Sequence, residues 1–410
     1  MSLMSSAIDS VNLNGCGFEC QRRRARRRCH TFGHAPKFLT SLLLLTLGVT
    51  DLVTIQEAQA DLKIGAVTCL TGALSTFGVS SVQGLHLAVD QMNASGGVLG
   101  GPIDLVVEDN GSKAGEPATI TRKFISQDKV VAILGDLTSS ATMEAAPLAQ
   151  AAKIPMLTPS ATNVAITKIG DYIFRSCFID PFTGRIMAKF SLDTLHATRA
   201  MVMTDVKQDY SVGLADAIRQ YFVDNGRGTL SALSYSSGDT NFRTQLTAVR
   251  MARPDVVFLP GYYTEVGLIL RQARQLGITC PFVGGEGWDS PALIQVAGKS
   301  ADGNFYTNHF SAADPDPGVQ KFVQAYRARF GSVPDALAAL WYDGARLLTQ
   351  AVQRAGSTDP VKIRDALATT RDFHGVTGRI SIDQNRNAAK PGVIVKIVGG
   401  TPEMVQRINP

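Results

Sequence analysis

"LKIGAVTCLTGALSTFGVSSVQGLHLAVDQMNASGGVLGGPIDLVVED" (residues 62–109) moves from one pattern to a second and back again. "LKIGAVT" (62–68) and "IDLVVED" (103–109) are apolar, β-branched runs with polar or turn residues at their ends, the composition of buried strands. Between them, "VQGLHLAVDQMNASGG" (82–97) repeats its apolar residues every three or four positions, as one face of a helix does. Strand, helix, strand predicts a parallel sheet.

The pattern continues with a helix over "GEPATITRKFISQDK" (115–129) and a strand over "VVAILG" (130–135). It restarts at the strand "RAMVMTD" (199–205), followed by a helix through "YSVGLADAIRQYFVDNG" (210–226) and the strand "TLSALSY" (229–235). The helix "NFRTQLTAVRMA" (241–252), the strand "DVVFLPG" (255–261), the helix "EVGLILRQARQLG" (265–277) and the strand "PFVGG" (281–285) complete it, Gly277 suiting a helix C-cap. At 410 residues the chain exceeds what one hydrophobic core serves. The expected fold is α/β, with two doubly wound parallel-sheet lobes and no short-period repeat.

Residues 1–60 stand apart. "RRRARRR" (22–28) and Lys37 precede the apolar run "FLTSLLLLTLGV" (38–49), and "AQA" (58–60) precedes Asp61. A basic segment, a short apolar segment and small residues before a processing point form the layout of a secretory signal, expected to be removed near Ala60. The apolar run is shorter than the roughly 20 residues of a membrane-spanning helix. No cysteine stands between it and Asp61, so a lipid-anchored terminus is not expected. Export to the periplasm is.

Of 40 basic and 35 acidic residues, this leader holds 7 and 4, which leaves a net charge of +2 on the remainder. Steering toward nucleic acid or anionic lipid is not indicated. Cys69, Cys177 and Cys280 remain beyond the leader, too few and too scattered for a disulfide framework or a zinc site. No metal or other cofactor is expected.

Ligands of open α/β sheets bind beyond the carboxyl ends of strands, where helix N-termini present unpaired N–H groups. Five polar clusters occupy such places: "LTGALSTFG" (70–78), "GDLTSSAT" (135–142), "TPSATN" (158–163), "PGYYTE" (260–265) and "GGEGWDS" (284–290). Ser139, Ser160 or Thr162, beside free N–H groups, suit a carboxylate. Glu286, on a glycine-flanked turn in the facing lobe, suits an ammonium, and Tyr262 would wall the site. Any one of these hydroxyls alone would read as a helix cap or turn residue. Five clusters on one rim favour a binding site for a zwitterion.

Signatures of catalysis are weak. "AGKS" (297–300) ends like a phosphate loop, but Leu293 stands where its first glycine belongs, and "GGVLGG" (96–101) follows a helix instead of opening one. There is no G-x-S-x-G elbow or H-E-x-x-H, and His86, His196, His309 and His374 are scattered. The chain is not expected to be an enzyme.

From about residue 61 to 395 the chain resembles type I periplasmic substrate-binding proteins of ATP-driven (ABC) importers, in the branched-chain amino-acid (Leu/Ile/Val-binding) class. The resemblance is carried by "IGAVTCLTGALSTFG", "DQMNASGGVLGGPIDLVVEDN", "GDLTSSAT", "TPSATN", "KQDYSVG", "GYYTEVGLILRQARQLG" and "GGEGW". It implies that Ser139, Ser160 through its backbone, and Thr162 hold a ligand's carboxylate and share its ammonium. Tyr262 joins them, and Glu286 pairs with the ammonium. Phe77, Leu137, Thr138 and Tyr210 would touch the ligand's side chain.

Two departures stand out: Thr138 has no second cysteine to match the small disulfide of the family's best-known members, and Ser160 replaces the usual alanine. Binders of amides, urea or aromatic acids share the fold, as do sensory ligand-binding modules, so these readings stay open.

The resemblance also implies that "GVQKFVQAYRARFG" (318–331) and "DALAALWYDGARLLTQAVQRAG" (335–356) return to the first lobe and "GVIVKIVGG" (392–400) to the second. The lobes would be 61–180 with 310–388, and 181–309 with 389–410, joined by a three-stranded hinge near 180, 310 and 389. The expected partners are a small amino acid and a membrane permease with its ATPase, for a chain acting as a monomer.

Overall fold

The computed structural model describes residues 62–225 and 228–409; the leader expected at 1–60 lies outside them. A first sheet is built from β1 (Leu62–Thr68), β2 (Ile103–Asp109), β3 (Ala132–Leu134), β4 (Met156–Thr158) and β5 (Ile173–Arg175). Helices α1 (Ser75–Ala94), α2 (Glu116–Lys123) and α3 (Ser139–Ala151) connect its first four strands. The order is β2-β1-β3-β4-β5 and every pair is parallel. Leu62 lies opposite Ile103 and the register holds through Thr68 opposite Asp109, so the opening stretch is the parallel pair its pattern predicts.

The second sheet takes α4 (Asp180–Asp193), β6 (Arg199–Asp205), α5 (Asp209–Asn225), β7 (Thr229–Tyr235), α6 (Arg243–Ala252), β8 (Val256–Phe258), α7 (Tyr263–Gln275), β9 (Phe282–Gly284), α8 (Pro291–Ala297) and β10 (Phe305–Asn308). There follow α9 (Pro317–Phe330), α10 (Ala336–Ala355), α11 (Pro360–Ala368), a small antiparallel sheet of β11 (Phe373–Gly375), β12 (Gly378–Ile382) and β13 (Ala388–Ala389), then β14 (Gly392–Val398) and β15 (Thr401–Ile408). The second sheet runs β15-β14-β10-β9-β8-β6-β7. Counted from β6, its parallel part repeats the order of the first sheet. Each sheet therefore has its switch point between its first and third strands, where a crevice opens at the carboxyl ends.

The chain passes between the sheets three times: from β5 to α4, from β10 to α9, and from β13 to β14. The passes touch. Phe178 of the first stacks on His309 of the second at 3.5 Å between ring centroids. Lys390, buried in the third, donates to the Thr377 hydroxyl.

Several details depart from the sequence pattern. β14 and β15 join the second sheet antiparallel, and β15 had no strand signal because its residues are mostly exposed and polar. α1 begins at Ser75, seven positions before its periodic stretch. The loop ahead of it is tied down by Asp109, whose Oδ1 accepts the N–H groups of Leu70 and Thr71 at 2.8 and 3.1 Å. The helical period over 115–129 is α-helix only as far as Lys123, then widens to a π-turn over Phe124–Asp128.

Candidate functional site

α3 begins at the carboxyl end of β3, and its approach is fixed by Asp136. That buried side chain accepts from the Asn110 amide at 2.7 Å and from the Leu137 N–H, while its carbonyl accepts from Thr158 and Thr142 hydroxyls at 2.8 and 3.1 Å. Ser139 is thereby set in the first turn of α3, where its hydroxyl accepts the Asn163 N–H at 3.2 Å. Ser160 donates to the Leu137 carbonyl at 2.9 Å and accepts from the Trp341 indole at 3.3 Å. The loops after β3 and β4 are thus laced to each other through the hydroxyls that the sequence singles out. Beneath them, the buried Arg175 donates to the carbonyls of Ala161 and Asn163 at 2.9 and 2.6 Å, which turns the backbone of 161–163 inward.

From the second sheet, Tyr262 precedes α7 and Glu286 follows β9. The glycines beside Glu286 serve close approach, since none has a positive φ. A Cβ on Gly285 would lie 2.3 Å from the Tyr210 hydroxyl, and one on Gly287 would lie 2.6 Å from the Gly261 carbonyl. Tyr210 and Tyr262 stack at 5.2 Å, and Phe77 meets Tyr262 edge-on at 6.0 Å.

These residues close around one small cavity, lined by Phe77, Leu137, Ser139, Ser160, Thr162, Tyr210, Tyr262, Glu286, Gly287, Leu337 and Leu340. Every one of the five rim clusters contributes. The lobes meet across it: the Thr162 hydroxyl donates to Glu286 Oε1 at 3.3 Å, the Asn163 amide to the Asp209 carbonyl at 2.7 Å, and the Tyr263 hydroxyl to the Ala73 carbonyl at 2.9 Å. The cavity measures ≈ 20 Å³, about the room of one water. Anything larger enters only if the two sides draw apart.

Glu286 is its chemical centre. The carboxyl is buried and its Oε2 has no hydrogen-bond partner. Burial pushes it up to about 8, its own backbone N–H and Thr162 opposing while Asp180 adds to the rise. Asp180, at the start of α4, is buried with both oxygens unpartnered and is pushed up to about 7 by burial, against the pull of Thr162 and Arg175. Two buried acids without a full set of donors make a place where a cation is favoured, and the N-terminus of α3 opposite favours an anion.

Of the sequence-derived residues, Thr138 is the one the structure does not bring into this lining. Its hydroxyl accepts the Ala141 N–H at 3.3 Å as the N-cap of α3, so it faces the helix end. Replacing Thr138 with alanine is expected to lower stability by about 1 kcal/mol, read as a shift in the urea midpoint. The reading of the sequence also missed Leu337 and Leu340 in the lining, and Asp180, which lies outside it but acts on Glu286. "DP" at 180–181 looks like an ordinary helix start, and the leucines look like any apolar positions of α10.

Cys69, Cys177 and Cys280 are free, and burial pushes the first two thiols up to about 12. Among the described residues no cluster of three or more His, Cys, Asp or Glu is placed to hold a metal ion.

The model of the family described as periplasmic binding protein matches residues 61–401. The chain belongs to that family. The leucine-, isoleucine-, valine-, threonine- and alanine-binding protein of Pseudomonas aeruginosa is 27% identical over 345 residues, covering 84% of this chain and 91% of that protein. A leucine-binding protein from Thermotoga maritima superposes with a TM-score of 0.82 at 38% identity, over 85% of this chain and 99% of that one. A branched-chain amino-acid transporter substrate-binding protein from Streptococcus pneumoniae, solved with isoleucine, gives 0.81 at 34%, over 85% and 100%. The two parallel-sheet lobes are those of type I periplasmic binding proteins.

Proposed function

We propose that this chain is an extracytoplasmic solute-binding protein that captures an amino acid with an apolar side chain, branched-chain or similar, and delivers it to an ABC importer. The observation that carries the reading is the unpartnered Oε2 of buried Glu286, set across a small cavity from the N-terminus of α3. A zwitterion supplies what each side lacks. Its ammonium satisfies Glu286 with Thr162, and its carboxylate takes the N–H groups and hydroxyls at Ser139 and Ser160. Phe77, Leu137, Tyr210, Tyr262, Leu337 and Leu340 are left for the side chain, and these are apolar or aromatic surfaces.

The lobes are taken as 61–180 with 310–388 and 181–309 with 389–410, and the three passes between the sheets as the hinge. Opening there would enlarge the cavity, and closing would bury the ligand and present a membrane permease with a changed shape. The leader at 1–60 is taken as a signal removed near Ala60, which would deliver the mature chain to the periplasm, and the chain is taken to act there as a monomer. The relatives' leucine, isoleucine and valine are the first ligands to try.

A thermal-shift screen of residues 61–410 tests this. L-leucine, L-isoleucine or L-valine at a hundredfold excess over Kd should stabilise the protein by about 2.7 kcal/mol. Stabilisation by benzoate or urea alone, with no response to any amino acid, would keep the fold and remove the ammonium partner assigned to Glu286.

A further inference from the structure

Three residues beyond Glu286, Asp289 reaches from the second sheet's side to the start of α10. Its Oδ2 accepts the Ala336 N–H at 2.7 Å and its Oδ1 accepts the Tyr306 hydroxyl at 2.8 Å. Ala336 is the first residue of α10, and Asp335 before it is the helix's own cap, accepting the Ala338 N–H at 2.9 Å and the Ser80 hydroxyl. One helix end therefore carries two carboxylates, one from each side of the cleft, Asp289 buried and Asp335 half-buried. The first two turns of the same helix put Leu337 and Leu340 into the cavity and Trp341 against Ser160.

We propose that Asp289 is a positioning residue for ligand capture: it caps α10 from the opposite lobe as the lobes close, and because Asp335 already occupies that end, closure takes up a proton. The first half follows from the helix terminus, whose leading N–H groups need acceptors and whose partial positive charge favours one anion. The second follows from crowding. Crowding two carboxylates at one helix end disfavours the second charge, and Asp335 is pushed up to about 7, by desolvation first and then by Asp289.

The donors facing the pair relieve it only in part: Ser80 and the N–H groups of Ala338 and Leu337 lower Asp335 without offsetting desolvation and Asp289. Ser80 from α1 and Tyr306 from β10 donate hydroxyl protons, Tyr326 on α9 is neutral, and Arg327 on α9 lines the adjoining cavity of ≈ 720 Å³. Among the described residues neither carboxylate forms an ion pair. With the lobes apart, Asp289 is withdrawn and Asp335 returns toward an ordinary carboxylate value. The closed form then holds a proton that the open form does not, between roughly pH 4 and 7. Closure is favoured as pH falls through that window, and the advantage is lost as pH rises through about 7.

The proposal takes its ligand from the amino-acid reading, but it can stand or fall without that reading. L-leucine binding is followed by the fluorescence of Trp288 and Trp341, the two tryptophans of the chain. Between about pH 7.5 and 5.5 the wild-type affinity should gain about tenfold relative to Asp335→Asn, which keeps a good cap but cannot take up the proton. Asp289→Ala should weaken L-leucine binding by about tenfold without lowering the urea midpoint of the ligand-free protein in proportion. Parallel pH profiles for wild type and Asp335→Asn, or undiminished affinity in Asp289→Ala, would overturn the proposal. If L-leucine binds neither form, amide hydrogen exchange at Ala336 decides at about pH 5.5, where proton uptake favours the closed form even without ligand. Faster exchange in Asp289→Ala supports the latch, and unchanged exchange rejects it.

Discussion

Glu286→Gln is expected to weaken L-leucine binding by at least about a hundredfold, which corresponds to about 3 kcal/mol. The argument begins from burial. An ammonium drawn into this cavity leaves water behind, and a full negative charge at hydrogen-bond distance is what compensates it. Glutamine keeps the shape and one acceptor oxygen but offers no charge, so the ligand's cation would be left buried and unpaired. The same change removes the cost of burying a carboxyl that burial pushes up to about 8. Stability without ligand should therefore hold or rise while affinity collapses. Titration calorimetry beside a urea melt separates the two quantities. Equal affinity in the variant would take Glu286 out of the site; a fall in both quantities together would make its role structural.

The long strands were legible because each holds an apolar, largely β-branched or aliphatic stretch bounded by polar or turn residues, even where, as for β2 and β7, it lies at a sheet edge. β1, β2, β6 and β7 begin and end where the sequence pattern does. β3, β8 and β9 are each only three residues long, shorter than the apolar runs that contain them. The rim was legible for a different reason. Small hydroxyl residues and glycines directly after an apolar run have few structural uses apart from capping and ligand approach.

What the pattern could not give was anything arriving from far along the chain. Leu337 and Leu340 reach the cavity some 200 positions after Leu137, and periodicity says only that such a face is buried, never against what. Thr138 and Ser139 show the same limit at close range. Adjacent hydroxyls look equivalent in sequence, but the turn into α3 sends one to the helix end and the other to the cavity. Gly285 and Gly287 read only as flanks of a turn, whereas their backbones are ordinary and the missing side chains make room for Tyr210 and the Gly261 carbonyl.

Gly84→Ala sets two magnitudes against each other. Glycine inside a helix costs about 1 kcal/mol relative to alanine, so on propensity alone the substitution in α1 would stabilise. Gly84, however, sits where α1 crosses α10, and a Cβ there would lie 2.0 Å from the Ala338 carbonyl oxygen and 2.7 Å from its carbon. Neither atom can turn aside, because both belong to the backbone of a helix capped at its start by Asp335 and Asp289. The helices must separate by more than an ångström, and overpacking of that kind costs typically 1–3 kcal/mol, more where backbone is involved. The collision outweighs the propensity gain, and a net loss of about 2 kcal/mol is expected, visible as a lower urea midpoint at unchanged slope. Affinity for L-leucine should fall as well, since Phe77 on α1 and Leu337 and Leu340 on α10 wall the cavity from either side of that crossing. A gain of about 1 kcal/mol would instead mean that propensity rules and the helices stand farther apart than their glycine contact implies.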